Sequence, residues 1–199
     1  MALDSDWGPG FGSIFTWFCM DKHGRIAMMV NNGFGNLPRS LLRLDDVESR
    51  LDELNELVWG ESERFQHDFH HPEASYELVF YSKCNNKGLA DRVQVEASLL
   101  QSFGRVPEGS DLSVPIKHGF YLYHAVEGSF QGEDFPVGYQ GEVEMGDYFK
   151  FLAPTVSSSI DDLPAELRGV VCISDVVDFE VQSILDNSEI NDLFVRQYC

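Results

Sequence analysis

With 199 residues, 43% of them hydrophobic and 13% aromatic, the chain has the material for one sizeable core and lacks the composition of a disordered protein. Fourteen Lys and Arg stand against 33 Asp and Glu, a net charge of −19, which argues against phosphate-neutralising nucleic-acid binding and against an anionic membrane surface. No apolar run reaches the roughly 20 residues that span a bilayer, and the acidic opening Asp4-Ser5-Asp6 is unlike the basic start of a signal peptide. A single cytoplasmic globular domain over 1–199 is the expectation.

Residues 1–13, with Trp7-Gly8-Pro9-Gly10, read as an irregular lead-in. The apolar runs 14–20 and 25–30 flank Asp21-Lys22-His23-Gly24, which has turn chemistry, so they predict a β-hairpin. A glycine-rich loop over 31–38 follows. Asp45 as N-cap with Glu48 three residues on predicts a helix whose stripe of Val47, Leu51, Leu54 and Val58 runs to Gly60. Opposite that stripe lie Asp45, Asp52, Glu53 and Glu56, so one face is apolar and the other acidic. Beyond a polar stretch at 67–72, strands are expected at 76–81, 119–126, 135–141, 148–152 and 170–174. Helices are expected at 89–103 and at 161–168, the latter begun by Asp161-Asp162 with Pro164 in its first turn. Short elements fill 176–185 and 188–197. The mixture, without a βαβ rhythm, predicts an α+β fold with a mainly antiparallel sheet and a few helices.

Charge is concentrated along the chain. Nine acids between Asp45 and Asp68 meet only Arg50 and Arg64. No Lys or Arg lies between Lys117 and Lys150, where Glu133, Asp134, Glu142, Glu144 and Asp147 fall. Clustering of this kind favours a docking face for a basic partner over uniform solubilisation.

Enzyme signatures are absent: there is no GxSxG, no P-loop, no HExxH and no GxGxxG that follows a strand. His67, His70 and His71 are metal-capable, and His118 and His124 could join them, but a solvated loop before Pro72 is the simpler reading. Carboxylate pairs such as Glu142 and Glu144 arise readily among 33 acids, and no cofactor or metal is expected. Cys19, Cys84, Cys172 and Cys199 show no CxxC spacing and suit a reduced compartment. Trp7 and Trp59 read as lids on the core in preference to interface anchors.

The run Thr16-Trp17-Phe18-Cys19-Met20-Asp21-Lys22-His23-Gly24-Arg25-Ile26-Ala27, followed by Gly33-Phe34-Gly35-Asn36-Leu37-Pro38, resembles the opening hairpin of bacterial polymorphic-toxin and secretion-system effector immunity proteins. Gly119-Phe120-Tyr121-Leu122-Tyr123, residues Tyr148 to Pro154 and Asp162-Leu163-Pro164-Ala165-Glu166-Leu167 are similar to later blocks of that group. The likeness covers about half the chain and lies in scaffold positions, so it transfers no catalytic residue. It implies an inhibitor that binds and occludes a cognate antibacterial toxin. A nuclease toxin presents a cationic cleft, which an acidic partner can occupy, and opposite charge speeds the encounter. The expected partner-binding residues are Asp45, Asp52, Glu53 and Glu56, and then Glu133, Asp134, Glu142 and Glu144. Two other readings stand beside it: a small enzyme with a cryptic site, most concretely a His67–His70–His71 metal site, and an acidic or salt-adapted scaffold without catalysis.

Overall fold

In a computed structural model, residues 3–10, 12–65, 75–82, 89, 91–104, 118–127 and 136–199 are described here, 100–104 by backbone only. Among the described residues eight strands form one sheet: β1 (Thr16–Met20), β2 (Ile26–Val30), β3 (Tyr76–Leu78), β4 (Tyr121–Ala125), β5 (Tyr148–Pro154), β6 (Cys172–Ile173), β7 (Ile184–Leu185) and β8 (Arg196–Gln197). Their order is β3-β5-β4-β2-β1-β6-β8, and β7 shares the outer edge of β5 with β3.

The hairpin forms as expected, with Thr16 opposite Val30 and Met20 opposite Ile26. Most pairings are antiparallel, as expected, but β2–β4 and β1–β6 are parallel. A parallel pair needs a long crossover. The chain from 31 to 120 supplies the one between β2 and β4, and α1 (Arg39–Leu42), α2 (Val47–Trp59) and α3 (Arg92–Gly104) lie along it. The helices α4 (Ala165–Arg168) and α5 (Ile190–Leu193) follow in the C-terminal third.

Period-two alternation gives the central strands two apolar faces, and both are covered. On one face Phe18 meets Phe120 at 6.2 Å between ring centroids, and α2 lies above β1. Beside them the buried His118 ring places Nε2 2.9 Å from the Val58 carbonyl in the last turn of α2. On the other face Trp17 stands edge-on to Tyr148 and Phe194, and its Nε1 donates to the Tyr148 hydroxyl at 3.1 Å. Tyr148 approaches the loop after β2 so closely that a Cβ on Gly35 would lie 2.5 Å from its ring and hydroxyl. Trp7 is buried edge-on to Phe15 at 5.5 Å, and Trp59 is half-buried against the core, so both cover it.

Several expected elements take other forms. The helix at 45–60 begins at Val47 with Asp46, not Asp45, as N-cap; Asp46 is left-handed (φ 55°) and makes no side-chain cap bond. The shift of the N-cap to Asp46 moves Glu48 out of the third helical position that a capping box needs, and its carboxylate accepts the Leu3 N–H instead. The expected strand at 135–141 is reduced, over its described part, to a single bridge between Val137 and Tyr81, next to turns at Pro136–Tyr139. The helix expected over 161–168 splits into a 3-10 turn at Ile160–Asp162 and α4, since Pro164 has extended backbone and stands as N-cap of α4. The turn has the reciprocal Ser159–Asp162 capping box that α2 lacks. The polar stretch 67–72 and the region 107–115 lie outside the described residues.

Candidate functional site

α2 puts Val47, Leu51, Leu54, Leu57 and Val58 inside, and each buried Leu or Val contributes about 1.5–3 kcal/mol relative to exposure. Gly60 ends the helix at φ 70°, with its N–H on the Leu57 carbonyl. At 3.6 residues per turn, that burial forces Glu48, Asp52 and Glu56 onto the opposite side as a row at four-residue spacing. All three are exposed. Asp45 and Asp46 extend the acidic surface past the N-terminus of the helix.

Little offsets this row. Glu53, half-buried beside it, pairs with Arg64 at 3.2 Å. Arg50 lies on another side of the helix, its guanidinium near Gly169. Among the described residues no ion pair engages Asp45, Asp52 or Glu56. Like charges four apart on a helix destabilise it by about 0.2–0.5 kcal/mol per pair, so the row works against the helix that carries it.

The second expected acidic region is anchored elsewhere. Glu142 and Glu144 are exposed in the turn before β5, beside Asp147. Asp147 is buried and accepts the backbone N–H groups of Glu144 (2.7 Å) and Asn187 (2.8 Å). This turn lies at the Ala125–Tyr148 end of the sheet, while the last turn of α2 meets His118 at the opposite end of β4. Glu133 and Asp134 lie outside the described residues, as do His67, His70, His71 and Cys84. His118 and His124, the other two candidate ligands, stand apart in function. His118 closes on α2, and His124 lies against Phe151 and Phe149 at 5.0 and 6.1 Å. Desolvation pushes the His124 imidazole down from 6.5 to about 4, which keeps it neutral. Burial raises both the Cys19 and Cys172 thiols, so neither is poised as a nucleophile.

A third cluster, at the turn between β1 and β2, left no signal in the sequence pattern. Asp21 is buried and its carboxylate accepts four protein hydrogen bonds: from the N–H groups of His23 (2.9 Å), Arg25 (3.0 Å) and Phe179 (3.0 Å), and from Arg25 Nε (2.8 Å). Arg25 also reaches Asp178 and Glu180, each at 2.5 Å, and Lys22 and His23 add contacts to Asp178 at 3.4 and 3.2 Å. Desolvation works to raise Asp178, but hydrogen bonds from the Glu180 N–H, Arg25 and Lys22 outweigh it and hold the carboxyl well below its ordinary range. Beneath lies Lys150, buried, whose Nζ donates to the Phe179 carbonyl at 2.6 Å and the Glu180 carbonyl at 3.3 Å. Burial lowers its pKa. Each charge here has a protein partner, so the cluster fixes backbone and offers no open site.

No family model, curated protein or solved structure matches the chain. Among the described residues no helix is long and apolar enough to cross a membrane, and no three His, Cys, Asp or Glu side chains gather as a metal site.

Proposed function

We propose that the protein is an immunity-type inhibitor that binds a cationic antibacterial toxin, most plainly a nuclease effector, and covers its phosphate-binding cleft with the outer face of α2. The observation that carries this reading is the exposed row Glu48–Asp52–Glu56, flanked by Asp45, Asp46 and Glu53. The row costs the helix stability, it is almost unpaired, and it stands on a helix whose inner face is fixed in the core. A rigid acidic face matches the cationic cleft such a toxin needs, raises the rate of encounter, and requires no chemistry from the inhibitor. The resemblance of the hairpin and later blocks to effector immunity proteins points the same way. Glu142 and Glu144, at the far end of β4, are at most an outlying contact.

Immobilised wild-type protein and the D52K/E56K variant, exposed to lysate of the source organism under toxin-producing conditions, test this. The expected result is one basic effector retained by the wild type, bound more slowly by the variant, and inhibited in a nuclease assay by the wild type at one-to-one stoichiometry. Equal retention by both proteins removes α2 from the reading. Retention of nothing cationic removes the inhibitor and leaves the acidic scaffold.

A further inference from the structure

Cys19 and Cys172 come from the first and last thirds of the chain, and the parallel β1–β6 pair makes them register partners. Register partners on neighbouring parallel strands carry their side chains on the same face. For Cys19 that face is the one that holds Trp17, two residues earlier in β1. Cys172 is placed there independently: its Sγ lies 3.9 Å from the Ser40 hydroxyl, which donates to the Phe194 carbonyl at 2.8 Å, and the Phe194 ring stands edge-on to Trp17. Both thiols are free and fully buried, and the charge of a Cys172 thiolate is felt at Cys19.

Neighbouring strands stand about 4.7–4.9 Å apart, inside the Cα separation of about 4.4–6.8 Å that a disulfide bridges and short of its usual 5.5–6 Å. The two cysteines can be joined with little movement of either strand, and a bridge held below its preferred span is the readily reduced kind. A route to them exists at the sheet edge. β6 pairs with β1 through Cys172 and Ile173 alone, and among the described residues only the two-residue strand β8 stands beyond it. Short edge pairs open locally at less cost than central strands, so a small reagent reaches Cys172 before Cys19, one strand further in.

We propose that Cys19 and Cys172 are the two halves of a reversible disulfide, formed by exchange with a low-molecular-weight disulfide such as oxidised glutathione, that ties the β1–β2 hairpin to β6. When the edge opens, the Cys172 thiol gives its proton to water and its sulfur attacks the glutathione disulfide. A Cys172–glutathione bond forms, and one glutathione leaves as thiolate and takes up the proton. Cys19, deprotonated in the same open state, attacks the Cys172 sulfur; the Cys19–Cys172 bond forms and the second glutathione leaves as thiol. Two cysteine thiols are oxidised, one glutathione disulfide is reduced to two thiols, and the reverse exchange restores the starting protein. In the closed fold burial keeps both thiols protonated, so exchange runs at the rate of edge opening.

The wild-type chain and C84S/C199S, which keeps only this pair, are refolded from urea in about 1 mM oxidised glutathione, so that access to the thiols sets no limit, and mapped by mass spectrometry without reduction. The expected result in both is an intramolecular Cys19–Cys172 bridge that about 10 mM reduced glutathione opens. In the bridged form the Ser174 N–H, which bonds the Met20 carbonyl across the β1–β6 pair, exchanges with solvent at least about tenfold more slowly. Circular dichroism confirms that both chains refold. A refolded wild type whose Cys19 and Cys172 remain thiols, a bridge between any other pair, or unchanged Ser174 exchange overturns the proposal.

Discussion

The carboxylates along α2 and those around Arg25 carry the same charge in opposite surroundings. Asp21 and Asp178 are enclosed: their oxygens meet the cations of the turn between β1 and β2 and the backbone N–H groups of that turn and of residues 179 and 180. Glu48, Asp52 and Glu56 stand in water, repel one another, and hold nothing together apart from the Leu3 N–H that Glu48 accepts. The first group is explained by the fold. The second has no role within the fold, and that asymmetry makes α2 the candidate surface.

The contrast is broken most directly at Asp21. Asp21→Ala takes the acceptor from three backbone N–H groups, that of Phe179 fully buried, and leaves Arg25 to Asp178 and Glu180, and a loss of about 2–4 kcal/mol in urea unfolding is expected. A loss under about 1 kcal/mol would make the network ornamental.

A smaller effect is expected from His124, with a defined pH signature. Its folded pKa, about 4, lies below the ordinary 6.5, so between those values the unfolded chain takes a proton that the native ring refuses. Stability therefore falls as pH drops from 6.5 to about 4, and no further loss from this ring follows below that. The ring keeps some exposure, so the loss is about 1–2 kcal/mol, and His124→Gln abolishes it. Urea unfolding at the two ends of the window reads the difference; parallel curves for wild type and variant would sink the assignment. Asp178, whose pKa is depressed, contributes stability that is present above its ordinary value of 3.8 and disappears as pH falls below it, outside the His124 window.

The smallest effect sharpens the other side of the comparison. Asp52→Lys turns its repulsions with Glu48 and Glu56 into i,i+4 attractions, so stability is expected to rise by about 0.5 kcal/mol at low salt while capture of a basic partner slows. Thermal melts and binding kinetics on one preparation check both. A destabilised variant would show that the row supports the fold.

Legibility followed the range of the interactions. The hairpin, α2 with its apolar stripe and Gly60 stop, and the apolar runs of β4 and β5 were readable because period and turn chemistry are local. The strand expected at 135–141 and the continuous helix at 161–168 failed where Tyr81 and Pro164 decided the backbone. The acidic face of α2 was legible as a consequence of its stripe. Asp21, Arg25 and Lys150 were not, because Asp21-Lys22-His23-Gly24 has the composition of any hairpin turn and Lys150 sits singly in an aromatic strand.

Composition and local pattern thus determined the α+β class and the acidic surface, since these depend on net charge and short-range periodicity. Only the tertiary structure decided which carboxylates are used up within the fold. It also set the parallel β2–β4 pairing and tied the unpatterned segment 174–183 to the sheet through Phe179, Asp21 and Lys150. Those outcomes depend on groups about 30 to 160 residues apart in sequence meeting inside a closed core, where every charge and every backbone N–H must find a partner.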